Sequence, residues 1–94
     1  MPRGIDMVKG KRHLERVRGL GCVICRNMGL GETPASAHHC FDTAMRNDFL
    51  SIPLCKEHHQ GGTGFHGMGE RAFNMRYDTC ELKLLAQTLE ELAK

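Results

Sequence analysis

Cysteine and histidine are the residues in this chain whose types and spacing can do chemistry, and they fall into two groups. Cys22-Val-Ile-Cys25 has the two-residue gap that lets both thiolates of a knuckle reach one Zn²⁺ at about 2.3 Å. Cys55 and His58 repeat the gap, and on the first turn of a helix i and i+3 share a face. Together the four make a closed Cys₃His tetrahedron, the usual form of a structural zinc site. Cys40 is an open alternative to His58 as fourth ligand, whereas Cys80 reads as a buried or free thiol.

Five of the six histidines lie between residues 38 and 66. His58 and His59 are adjacent, so on a helix they point about 100° apart, and if His58 closes the zinc site His59 must face elsewhere. Neighbours on a strand point to opposite faces, which separates His38 from His39. The economical solution gives His38 and His59 to a second metal and leaves His39 as a general base suited to neutral pH. A metal with few protein ligands keeps positions open for water and a phosphate oxygen, as metal-assisted phosphodiester cleavage requires. His66 is the natural third ligand. Seven residues along an unbroken helix is about 10.5 Å of rise, too far for two ligands of one ion. A turn at Gly61, Gly62 and Gly64 could fold it back.

Those side chains need a scaffold. Residues 1–8 read as a loose basic arm, followed by a helix from Lys9 to Arg18 with Leu14 and Val17 on a narrow apolar stripe. Gly19 and Gly21 should end it ahead of the knuckle, whose tight backbone is served by Gly29 and Gly31. An extended segment carries Ala37-His38-His39, residues 40–48 form a polar connection, and Phe49–Ile52 make a second short strand closed by Pro53. Cys55 opens a helix bearing His58 and His59, and a further helix runs from Glu70 to about Arg76. Residues 78–94 form a packing helix. Asp78 and Glu81 have capping-box spacing, and Leu82, Leu85, Ala86, Leu89, Leu92 and Ala93 form one apolar face.

A chain of 94 residues is one small domain whose modest core calls for a metal or cross-links. No apolar run is long enough to cross a membrane and the N-terminus lacks the apolar stretch of a signal peptide, so a cytoplasmic protein is expected. In that compartment five cysteines favour metal binding over a disulfide framework. Net charge is only +2, but basic residues crowd the first third. Lys9, Lys11, Arg12, Arg16 and Arg18, opposed locally only by Asp6 and Glu15, suit contacts to a DNA backbone.

The order CVIC, AHH, a strand and then LC-x-x-HH resembles the HNH endonuclease family, the His-Me finger or ββα-metal fold. The resemblance implies a structural zinc, a catalytic divalent metal held by His38 and His59, and His39 activating water. AHH, PLC-x-x-HH, the following His66 and the segment FNMRYD are more specifically similar to the phage-encoded, Ref-like RecA-dependent nucleases, over about residues 12–80. That likeness implies a phage or prophage origin, a role in recombination and a RecA filament as partner. The residue that orients the base in HNH enzymes has two candidates, Asn47 and Asp48, with Asp48 preferred.

The expected protein is therefore an α+β, zinc-stabilised ββα-metal domain with flanking helices, cleaving DNA by metal-activated water. The catalytic ion is Mg²⁺, Mn²⁺ or Zn²⁺; an all-imidazole set suits a transition metal better than oxygen-seeking Mg²⁺. The alternative is a non-catalytic zinc module that binds nucleic acid, which accounts for Cys22, Cys25, Cys55 and His58 but leaves His38, His39 and His59 without a task.

Overall fold

The structure, a computed structural model, describes residues 4–41 and 46–94, with side chains from residue 8 onward. The expectations for residues 1–3 and 42–45 lie outside the described residues. Six helices and two strands follow in order among those described: α1 (Gly4–Gly19), α2 (Val23–Asn27), β1 (Ser36–His39), β2 (Ser51–Leu54), α3 (Lys56–Gln60), α4 (Phe65–Met68), α5 (Glu70–Tyr77) and α6 (Glu81–Leu92). The result is a small α+β fold around a two-stranded antiparallel sheet that pairs Ser36 with Leu54 and His39 with Ser51.

The buried strand β2 is the hub. All four of its residues are buried, and α1, α2 and α6 each pack on it. Val17, Val23, Ile52, Leu54, Phe73 and Leu84 are at most 1% exposed and form the centre of the core. A second apolar layer stacks Phe65 on Phe73 and Phe73 on Tyr77, with centroids 5.4 and 4.8 Å apart. That layer carries α4 and α5 against α3.

Several boundaries differ from the sequence reading. Helix α1 already includes residues 4–8, which were expected to be a loose arm. The second strand is shifted to Ser51–Leu54 and takes Pro53 into its middle, opposite Ala37. A two-stranded sheet has only edge strands, so Pro53 can sit there without breaking a ladder on both sides.

The capping box does not form. Asp78 instead closes α5 in the left-handed region at φ 50°, and Cys80 is the N-cap of α6. Nor does α6 bury the expected face. Glu81, Leu84, Leu85 and Thr88 are buried, while Leu82 and Leu89 are 65% and 44% exposed. The helix is thus turned by roughly 90° at 100° per residue. Two polar residues can face inward because each finds a partner there. Thr88 Oγ donates to the Leu84 carbonyl at 2.8 Å, and Glu81 meets His38. No helix among the described residues is long and apolar enough to cross a membrane.

Candidate metal centre

Cys22 caps α2 and Cys55 caps α3, each through its sulfur. Cys22 Sγ accepts from the Cys25 N–H at 3.5 Å, and Cys55 Sγ from the His58 N–H at 3.4 Å. Two short helices thereby present their N-terminal turns to each other, with Gly29 and Gly31 at φ 75° and 85° folding the chain back after α2. The ligand atoms of Cys22, Cys25, Cys55 and His58, all buried, lie within 4.8 Å of one another.

The individual distances test the fit to an ion. Sγ of Cys25 and Cys55 are 3.8 Å apart, and His58 Nδ1 lies 3.6, 3.4 and 3.2 Å from the sulfurs of Cys22, Cys25 and Cys55. A regular tetrahedron with Zn–S near 2.3 Å and Zn–N near 2.05 Å has S···S and S···N edges of about 3.8 and 3.6 Å. The cluster could hold a structural metal such as zinc. Burial pushes the Cys22 thiol up to about 11, so this sulfur stays protonated until a cation displaces the proton. Cys40 stands outside this group, buried and with its thiol pushed up to about 12 by burial and by Glu81. Cys80 is likewise outside it.

A second group gathers His38 from β1, His59 from α3 and His66 from α4, its ligand atoms again within 4.8 Å of one another. Ring centroids are 5.2 Å apart for His38–His59 and His38–His66 and 4.9 Å for His59–His66. His66 reaches the others because the chain reverses between α3 and α4. The Glu57 carboxylate takes the Thr63 N–H and hydroxyl at 2.9 and 2.7 Å, and Tyr77 Oη donates to the Thr63 carbonyl at 2.6 Å. Gly64 and Gly67 let the backbones touch: a Cβ on either would collide with main-chain atoms of α3 or of Gly61.

Two of the three imidazoles are backed by a hydrogen-bond partner that fixes which nitrogen faces the group. Ser36 Oγ donates to the Leu54 carbonyl at 3.3 Å, so at 3.0 Å it accepts from His59 Nδ1–H, leaving His59 Nε2 as a lone pair. Burial, with His38 and His66 adding to it, lowers the His59 pKa to about 4, which keeps the ring neutral. His38 Nε2 lies 2.8 Å from Glu81 Oε2. Sequence reasoning read the last helix as packing alone and missed this carboxylate.

His39, on the opposite side of β1, stays out of the group. Its Nε2 is 2.9 Å from Asp48 Oδ1, and the Arg46 guanidinium approaches Nδ1 at 3.2 Å. Asn47 is occupied locally, its Oδ1 accepting from the Phe49 N–H at 2.8 Å. Helix α1 backs this pair: Gly10 lies against the Asp48 carboxylate, and His13 stacks on Phe49 with centroids 4.8 Å apart. The basic residues of α1 are all exposed, but at 100° per residue they split into Lys9, Arg12 and Arg16 on one stripe and Lys11 and Arg18 on another. Arg16 also donates to the Leu92 carbonyl at 2.8 Å.

A family model described as recombination enhancement, RecA-dependent nuclease matches residues 7–93 of the chain. Searches of curated proteins and of solved structures each found no match.

Proposed function

The chain belongs to the recombination-enhancement, RecA-dependent nuclease family, and we propose that within it this chain is an HNH endonuclease of ββα-metal fold. In this reading one domain spans residues 1–94, with a structural zinc at Cys22, Cys25, Cys55 and His58. A catalytic divalent ion sits at His38, His59 and His66.

The observation that carries the proposal is the separation of two neighbours on β1. His38 turns into a group of three imidazoles, while His39 faces away with a carboxylate behind it. A non-catalytic zinc module has no use for that separation. An ion held by the three imidazoles would supply Lewis-acid charge to a phosphate oxygen, and the nitrogen-only ligand set favours Zn²⁺ or another transition metal over Mg²⁺. Asp48 accepts from His39 Nε2–H, so Nδ1 carries the lone pair and, once Arg46 turns from it to the phosphate, takes a proton from the attacking water. Asp48 then stabilises the imidazolium. Arg46, already beside Nδ1, is placed to pair with the phosphate being cut. Lys9, Lys11, Arg12, Arg16 and Arg18 hold the DNA backbone, and the family implies both DNA and RecA as partners.

The test is plasmid nicking by the parent and His39→Ala proteins, with and without a RecA filament, across a series of divalent ions. Cleavage should need the ion and fall by about 10²–10⁴ in His39→Ala, with folding and zinc content unchanged. A variant that cuts at the parent rate removes His39 as base. No cleavage by the parent under any ion would instead favour the zinc module.

A further inference from the structure

Glu81 is a carboxylate in the interior of a protein whose core is small. Its side chain is only 7% exposed and that of its partner His38 only 2%. An isolated charge in such a position is costly, so its surroundings must use it. One oxygen makes two contacts: Oε2 lies 2.8 Å from His38 Nε2 and accepts from the Phe41 N–H at 3.2 Å. Phe41 is the residue at which the chain leaves β1, in the left-handed region at φ 58°.

An ionised carboxylate only accepts hydrogen bonds, so a neutral His38 ring facing one carries its hydrogen on Nε2 and its lone pair on Nδ1. Glu81 lies within hydrogen-bond reach of His38 yet does not join the group of ligand atoms formed with His59 and His66. It stands behind the ring. We infer that Glu81 is the positioning residue of the second metal centre, holding His38 in the tautomer and orientation that present Nδ1 to a divalent ion. The inference rests on the reading of His38, His59 and His66 as metal ligands.

A carboxylate hydrogen-bonded to a ligating imidazole orients the ring and raises its basicity, and losing it typically costs about 10–100-fold in metal affinity. Glu81 also fixes Phe41, the start of the connection that leads to Arg46 and Asp48 at His39. One side chain of α6 therefore meets both the His38 ring and the backbone at Phe41, just past the end of β1.

The test is titration of the zinc-loaded chain with Co²⁺, read by its visible d–d bands. Thiolates retain zinc, so an absence of sulfur-to-cobalt bands certifies that the added ion is at the histidines. The parent should bind one further Co²⁺, His38→Ala none, and Glu81→Gln the same ion about 10–100-fold more weakly with altered bands. Glu81→Gln binding at parent affinity with parent bands, while His38→Ala binds nothing, overturns the role of Glu81 and leaves the metal centre standing. A parent chain that takes up no second ion, or a His38→Ala variant that still does, overturns the metal centre and this inference with it. Should Glu81→Gln fail to fold, ¹⁵N spectra of the parent histidine rings decide. His38 with hydrogen on Nε2 supports the inference, and hydrogen on Nδ1 overturns it.

Discussion

Gly67→Ala adds one methyl group where the reversal between α3 and α4 has no room for it. A Cβ there would run into the Gly61 carbonyl oxygen and lie 2.7 Å from its carbon and 3.3 Å from the Gln60 oxygen. These are all backbone atoms, so no rotamer change relieves the contact. Carbon atoms rest about 3.5–4.0 Å apart, so α4 must move away from α3 by about an ångström. Overpacking of this kind costs about 1–3 kcal/mol, which in a chain of this size lowers Tm by roughly 5–20 °C.

Helix propensity alone gives the opposite sign, because Ala is favoured over Gly in a helix interior by about 1 kcal/mol. The direction of the change therefore separates the two effects. The metal centre should suffer more than the fold, since ligand distances tolerate only about 0.2 Å and His66 rides on α4 beside Gly67. Gly62→Ala is the internal control: nothing lies within 4 Å of its Cβ position. Thermal melts and Co²⁺ titration of the three proteins make the comparison. A Gly67→Ala protein with the parent Tm and parent affinity for the second ion would refute the idea that close backbone contact delivers His66.

Cys22→Ser should lose zinc and, with it, the cooperative melt; retention of both, measured by metal analysis and calorimetry, would contradict the tetrahedral site. Replacing Lys9 and Arg12, two residues of one α1 stripe, should flatten the dependence of log K for DNA on log salt by about two. Arg16 is left in place because it also binds the Leu92 carbonyl. An unchanged slope would mean that the stripe is merely solvated. Acid should also loosen the fold. His13, His58 and His59 all have folded pKa values below the ordinary 6.5, burial being the main cause, with His59 at about 4. The unfolded chain then binds protons first, so stability is complete above about pH 6.5 and declines as pH falls toward 4. Urea midpoints at pH 7.5 and 5 check this, the second being expected lower.

The candidate metal ligands were legible because ligand chemistry restricts both type and spacing. CxxC, CxxH and two adjacent histidine pairs leave few ways to share ions, and the structure brings together the two groups that the sequence suggested. The fold was legible at the level of element order. Glu81 was not, because a carboxylate in the first turn of an amphipathic helix looks like a solvent-facing cap, and its partner His38 is 43 positions away. The inward turn of Thr88 was hidden for a different reason: its hydroxyl is satisfied inside α6 by the Leu84 carbonyl four residues back, a bond open to any helical threonine on either face. Asn47 and Asp48 could be told apart only by geometry, since Asn47 spends its carbonyl on the Phe49 N–H. The close approach at Gly64 and Gly67 was equally silent; the sequence indicated a bend but not what it would touch.

Helix α6 makes contact near both centres. Gln87 pairs with Asn27 and Glu91 with Arg26 on the knuckle helix at 2.9 and 2.7 Å, while Glu81 holds His38 at 2.8 Å. A zinc at the Cys/His cluster would fix α2, which holds the middle and end of α6, while the beginning of α6 holds an imidazole of the second group. In the proposed reading, ions at the two centres would then share an interaction free energy, and thermodynamic linkage would make it reciprocal. Loading the knuckle should tighten the histidine centre by some factor, and filling the histidine centre should tighten zinc by that same factor. A chelator that slowly strips zinc would then find a moving target, with each chain holding its structural ion more firmly while the second ion is bound.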